Sequence, residues 1–154
     1  MLVDKTNGRL SVSPGLEFHP KLPLDEFRAR PDFDLWKNTV HLGDLYEGFT
    51  RDVIDNEQRK LNVQVTFLMS QLIVVYLSYF LPGEKDARFR ESNYPDADTR
   101  RYHFHDRLLR AALGEPPYRF SWGFAGLGTH ADGFSMISMD YGFQMGATAP
   151  NQES

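Results

Sequence analysis

Hydrophobic and polar residues alternate most regularly from Leu61 to Met69, where Leu61, Val63, Val65, Phe67 and Met69 share one parity and Asn62, Gln64 and Thr66 the other. Side chains on a strand point alternately to its two faces, so this spacing predicts a strand with one buried face. Leu72 to Leu81 is apolar on both parities, as a central strand covered on both sides would be. A turn at Ser70-Gln71 makes the pair a hairpin and places it at the centre of a sheet. The other long alternating region sets Tyr118, Phe120, Trp122 and Phe124 on one parity, passes through Gly126, Gly128 and Asp132-Gly133, and resumes with Ile137, Met139 and Tyr141. It predicts two antiparallel strands laying an aromatic face onto the core.

Shorter signals fill in the rest. Leu10 and Val12 mark a strand over Arg9 to Ser13, closed by Pro14-Gly15. Two more strands run through Trp36 to Tyr46 and Phe49 to Ile54, with Gly43 read as a bulge and Gly48 as a turn. Pro23 opens a short helix over residues 23–30, with Leu24 and Phe27 on its buried side, and Pro31 ends it. One long amphipathic helix is expected over 98–113, capped by Asp98 or Thr99 and stopped by Gly114 and Pro116-Pro117. Its apolar stripe is read as Tyr102, His105, Leu109 and Leu113, with Leu108 and Ala112 beside it. Pro82 to Asp96 is charged and without period, a surface loop, and 143–154 is a loosely held tail. The fold class is therefore α+β, one domain over 1–142. Its frame is a single curved antiparallel sheet of about six to seven strands with both helices packed on it.

Composition narrows the function without naming it. Seventeen basic and twenty-one acidic residues give a formal charge of −4, and the arginines of 88–110 are interleaved with acids, so no stripe for nucleic acid is expected. The chain has no cysteine, which removes disulfides, thiolate metal sites and cysteine nucleophiles and fits a cytoplasmic location. The longest apolar run, Leu72 to Leu81, is about half the length that carries a helix across a bilayer, so no membrane partner is expected. With 14% aromatic residues, the core should be large for the chain length, which is the commoner use, or some rings should line a pocket or a partner surface.

Candidate chemistry is sparse. His103 and His105 lie two apart and point to different sides of a helix, so they do not share a metal, and no metal or cofactor is expected. His130 and Asp132 flank a hairpin turn where an imidazole and a carboxylate could meet, and Asp140 is the carboxylate that interrupts an apolar strand. These three are the only group that could serve an enzyme. Trp122, followed by glycine, is either core or a stacking platform. Together with Tyr102 and His105 they make up the candidate ligand or partner residues. Gly123, Gly126 and Gly128 are read as strand ends and bulges, not as a phosphate loop, because no helix start follows them.

The succession Leu10-Ser11-Val12-Ser13-Pro14-Gly15-Leu16, Leu24-Asp25-Glu26-Phe27, Phe120-Ser121-Trp122-Gly123 and Ile137-Ser138-Met139-Asp140-Tyr141 resembles a loose group of small, mostly uncharacterised bacterial cytoplasmic proteins. Some of these are similar to immunity proteins encoded beside toxins. Together with the lack of a catalytic set, the resemblance implies a non-enzymatic protein that neutralises a toxin by protein–protein contact, and the length of the Pro82 to Asp96 loop makes it, with a mildly acidic surface, the expected contact. The alternative from composition is a small-molecule binder with an aromatic-lined pocket between sheet and helix. The pattern decides neither for a monomer nor for a homodimer, since an edge strand such as Arg9 to Ser13 could pair across a two-fold axis.

Overall fold

The computed structural model describes residues 1–43, 45–81, 97–129 and 134–142. The loop at Pro82 to Asp96, the turn carrying His130 and Asp132, and the tail 143–154 lie outside the described residues. Among the described residues the fold is α+β and mostly strand. The N-terminal region holds β1 (Leu2–Val3), β2 (Leu10–Ser13), β3 (Leu16–Phe18) and α1 (Leu24–Arg28). A 3-10 turn at Phe33–Leu35 leads into β4 (Lys37–Leu42), β5 (Tyr46–Ile54), β6 (Lys60–Leu68) and β7 (Gln71–Tyr79). The chain then forms α2 (Ala97–Leu113), β8 (Tyr118–Phe120), β9 (Gly123–Thr129) and β10 (Ser135–Asp140). Strands β4 to β10 make one antiparallel sheet in the order β4-β5-β6-β7-β10-β9-β8, and β1-β2-β3 make a second, small one.

The hairpin β6–β7 lies where the alternation placed it, with β7 in the middle of the seven. Its turn falls at Met69-Ser70, one residue earlier than expected, and both residues take positive φ, at 48° and 65°. Their backbone twist suits a two-residue hairpin loop, a geometry usually given to Asn or Gly, which is why Ser70-Gln71 looks the better turn from sequence alone. The register sets Phe49, Val53, Leu61, Val63, Val65, Phe67, Val75, Leu77, Ile137 and Met139 on one face of the sheet, all buried. Helix α1 delivers Phe27 into that layer, where its ring meets Trp36, Phe49 and Phe67 at 5.1–5.2 Å. Proline 23 sits just before this helix, in the extended conformation, and the helix ends at Arg28.

Several expectations change. The strand at Arg9 to Ser13 belongs to the small sheet and is its middle member, so neither of its edges is free to pair across a dimer axis. Gly43 and Gly48 exchange roles. Gly43, at φ 60°, is in the β4–β5 turn, whereas Gly48 lies within β5 opposite Val40, beside the register shift between Asn38 and Val40. Strand β4 is exposed along its whole length, so its Val40 and Leu42 are not core residues.

The aromatic segment forms three strands rather than two. Ser121 and Trp122 make a tight turn, Phe120 pairs with Gly123, and the parity reverses there. Tyr118 and Trp122 are buried while Phe124 is 48% exposed, so the four rings do not share a face. Helix α2 buries Arg101, His105, Leu109 and Leu113 at spacings of four, and Tyr102 points outward at 47% exposure. The stripe is thus displaced by one residue at its N-terminal end, with an arginine where an aromatic ring was expected.

Candidate functional site

The sheet's other face carries Tyr46, Gly48, Gln64, Thr66, Tyr76, Ser138, Gly126 and Phe124, which the strand registers place side by side. A groove of about 560 Å³ on this face is lined by Val40 of β4 and Phe124 of β9 as well as by the central strands. Strands β4 and β9 stand five places apart in the sheet order, about 24 Å in a flat sheet at ~4.8 Å per strand. Both can wall one groove only because the sheet curls over this face.

The lining follows from the period-two pattern. On the floor, Gln64 and Thr66 of β6 lie beside Tyr76 of β7 and Ser138 of β10. Tyr46 and Phe124 supply aromatic walls, and Val40 and Met136 supply apolar ones. Gly48, Gly126 and Gly128 deny the floor side chains and leave it deep. A Cβ on Gly126 would meet nothing within 4 Å, so this glycine opens the cleft instead of relieving a crowded backbone. None of the described lining residues is Asp, Glu, Lys, Arg or His. The Tyr76 phenol is held above its usual pKa by burial, then by Asp140 and Tyr46, and so stays a neutral hydroxyl that can donate or accept. Gln64 is steadied from its own strand, its Nε2 donating to Asn62 Oδ1 at 3.2 Å. Asn62 in turn donates to Asp52 Oδ1 at 2.8 Å.

The residues nominated from sequence are dispersed. Trp122 is buried in the β8–β9 turn, stacked on Phe120 at 4.9 Å, with Nε1 donating to the Lys5 carbonyl at 2.9 Å. Asp140 shares the groove's face of the sheet, and its Oδ1 accepts the Gly142 N–H at 2.9 Å. Tyr102 lines a different groove, of about 470 Å³, between α2 and the β8–β9 edge. His130 and Asp132 are outside the described residues, so only Asp140 of the enzyme trio is placed.

His105 comes within hydrogen-bonding distance of a serine, an arrangement that resembles a catalytic dyad. Its Nδ1 lies 3.0 Å from Ser135 Oγ and its Nε2 accepts the Tyr79 N–H at 3.1 Å. Burial first, and then the charge of Arg101, lower the imidazole pKa to about 3, so the ring is neutral near pH 7. Because the amide of Tyr79 can only donate, Nε2 must be the unprotonated nitrogen and Nδ1 carries the hydrogen. The ring therefore donates to Ser135 Oγ and has no lone pair with which to take its proton, as a general base must. His105 fastens α2 to β7 and β10. Arg101 reinforces the joint, with Nε donating to the Tyr79 carbonyl at 3.2 Å and the guanidinium 5.3 Å from the Phe134 ring centre.

The groove was only half legible in the sequence. The polar parity of β6, Asn62, Gln64 and Thr66, marks a face away from the main core. Gly126 and Gly128 read as strand ends, yet they lie inside β9 on the cleft floor. No signal in the local pattern tells how far a sheet curls. Among the described residues no three His, Asp or Glu side chains gather to hold a metal, and no helix is long and apolar enough to cross a membrane. No family model, curated protein or solved structure matches the chain.

Proposed function

We propose that the chain is a binding protein whose curled sheet receives an uncharged ligand bearing an apolar face and several hydroxyl or amide groups. The observation that carries this reading is the single groove shared by β4 and β9, with neutral polar groups on its floor and aromatic rings on its walls. Its volume of about 560 Å³ falls in the range of small-molecule sites, roughly 300–1,000 Å³. With no ionised group among the described lining residues, a charged ligand would lose hydration without gaining a counter-ion from them, which selects against it. Hydroxyl and amide donors fix orientation, while Tyr46 and Phe124 take the ligand's apolar side.

The location differs from the sheet–helix pocket expected from composition, because the face of the sheet that α2 covers is filled by Leu109, Leu113, Ile137 and Met139. Neutralisation of a toxin is supported by the sequence resemblance alone, and the loop assigned to that contact is outside the described residues. A cytoplasmic setting is supported by the absence of cysteine.

Amide chemical-shift mapping tests the proposal, with a panel of uncharged mono- and disaccharides, nucleosides and N-acetyl amino-acid amides as probes. Saturable shifts should centre on Gln64, Gly126 and Gly128 for at least one class. Gly126→Leu, whose side chain fills the open space above the floor, should abolish them without lowering stability. If no uncharged probe shifts these amides, or if Gly126→Leu binds as well as the parent chain, the reading is wrong.

A further inference from the structure

We propose that the edge of β9 is a second binding site, which takes an extended, mostly apolar segment of a partner polypeptide as an added strand. The inference rests on the backbone groups of this edge and not on the ligand reading of the curled-face groove, whose rim Gly126 to Thr129 also line. Strand β8 pairs with β9 only through Tyr118↔Ala125, Arg119↔Phe124 and Phe120↔Gly123. Continuing that register would bring Pro117 opposite Gly126 and Pro116 opposite Leu127. Proline has no N–H to give to a ladder, so the pairing stops and, among the described residues, Gly126 to Thr129 have no strand neighbour on that side.

The direction of the free groups can be read from the ladder. Tyr141 N–H donates to the Ile73 carbonyl at 2.8 Å, so residues of β10 on the parity of Tyr141 turn their backbone groups to β7. Residues of the other parity, Met136, Ser138 and Asp140, turn theirs to β9, where they face Gly128, Gly126 and Phe124. Leu127 and Thr129 therefore direct both N–H and C=O away from the sheet. Unpaired strand edges of this kind are templates for another chain.

The first half of this edge, Gly126 and Leu127, lies in the groove of about 470 Å³ between α2 and β8–β9, and Gly128 and Thr129 continue it along the rim of the curled-face groove. Tyr102 and Asp106 of α2 wall it on one side and Pro116-Pro117 close one end, while Phe124 stands exposed on the sheet's other face. A recess with helix on one side admits a single extended strand more readily than the rim of a second sheet, which favours a partner segment over a second copy. Arg110 Nε donates to Asp106 Oδ2 at 3.0 Å and Nη1 donates to Glu115, so these wall charges are matched. Arg119 is the lining charge without an acidic partner among the described residues, so one acid in an otherwise apolar segment would complement it. An added strand would place alternate side chains against Tyr102 and against Phe124, with room beside the latter because Gly126 and Gly128 carry none. This is the strand-addition mode of peptide recognition, in which the main chain supplies affinity and alternate side chains supply selectivity.

The experiment is selection of a phage-displayed random dodecapeptide library on the intact chain, followed by hydrogen exchange and shift mapping with the enriched synthetic peptides. The expected result is enrichment of sequences with alternating apolar positions and protection of the Leu127 and Thr129 amides by at least tenfold. Thr129→Pro removes one outward donor at the end of the strand and should weaken binding at least tenfold while the unfolding midpoint stays near that of the parent. Val40→Trp narrows the curled-face groove from the β4 side, far from the β9 edge, and should bind the peptides normally. The proposal is overturned if no peptide is enriched or if enriched peptides map to Val40, Tyr46 and Gln64 of the curled face and are lost in Val40→Trp. It is also overturned if the free chain sediments as a dimer with Leu127 and Thr129 already protected.

Discussion

His105 accepts the backbone N–H of Tyr79 on its unprotonated ring nitrogen, in a site where burial and then the charge of Arg101 set how the fold responds to acid. The folded-state pKa is near 3, against 6.5 in an unfolded chain, so between those values the unfolded state binds the extra proton. Stability from this residue is therefore complete above about pH 6.5 and is lost as pH falls toward 3, at up to about 1.4 kcal/mol per pH unit. Glutamine can accept from Tyr79 and donate to Ser135 without titrating. His105→Gln should flatten the pH dependence of the denaturant midpoint between pH 4 and 6.5, whereas His105→Phe should cost about 1–3 kcal/mol at pH 7 by orphaning the Tyr79 amide. Equal slopes in the parent and His105→Gln would refute the assignment.

Trp122 acts through the N-terminus. Its indole packs on Gly8, where a Cβ would come within 2.6 Å of the ring, and Tyr141 Oη donates to the Gly8 carbonyl at 2.9 Å. The two rings hold the segment before β2 against the main sheet. Trp122→Ala should cost about 3–5 kcal/mol and speed amide exchange in residues 1–9 before the rest of the chain. Tryptophan emission should not respond to ligands in the curled-face groove, because neither Trp36 nor Trp122 lines it.

How far the sequence carried depended on whether the deciding forces were local. The β6–β7 hairpin and the long helix were legible because period-two and period-3.6 burial repeat over many residues. Phe124 was misplaced because one tight turn at Ser121-Trp122 reverses parity, and a slip of one residue moves every later side chain to the opposite face. Arg101 displaced Tyr102 from the buried stripe because its guanidinium finds the Tyr79 carbonyl and the Phe134 ring, partners that lie elsewhere in the sequence. The curled-face groove was hidden for the same reason, being assembled from strands as distant as β4 and β9.

Strand β4 separates a hydrophobic pattern from hydrophobic burial. Val40 and Leu42 share one parity as core residues would, yet they are 39% and 63% exposed, and Leu45 in the following turn is 56% exposed, whereas Leu61 is fully buried. Leu42→Lys and Leu45→Lys should each change stability by less than about 0.5 kcal/mol, and Leu61→Ala should cost about 2–5 kcal/mol. Urea unfolding of the three variants checks this directly. A large loss at Leu42 would mean that β4 is covered in solution.

Two glycines three residues apart on β9 provide the sharpest contrast. Gly123 holds φ at 146°, a conformation L residues rarely adopt, and a Cβ there would lie 2.0 Å from the Asp140 carbonyl oxygen. Neither backbone can retreat, because Phe124 and Asp140 are paired in the β9–β10 ladder and Phe120 holds Gly123 from the other side. Gly126 has ordinary strand geometry and open space above it. Gly123→Ala should therefore destabilise by about 3 kcal/mol or more, from conformational strain together with the clash. Gly126→Ala should leave stability unchanged or raise it by up to about 1 kcal/mol by restricting the unfolded chain. Thermal unfolding of the pair at one pH decides the matter, since similar losses at both positions would mean that the floor of the curled-face groove is filled rather than open.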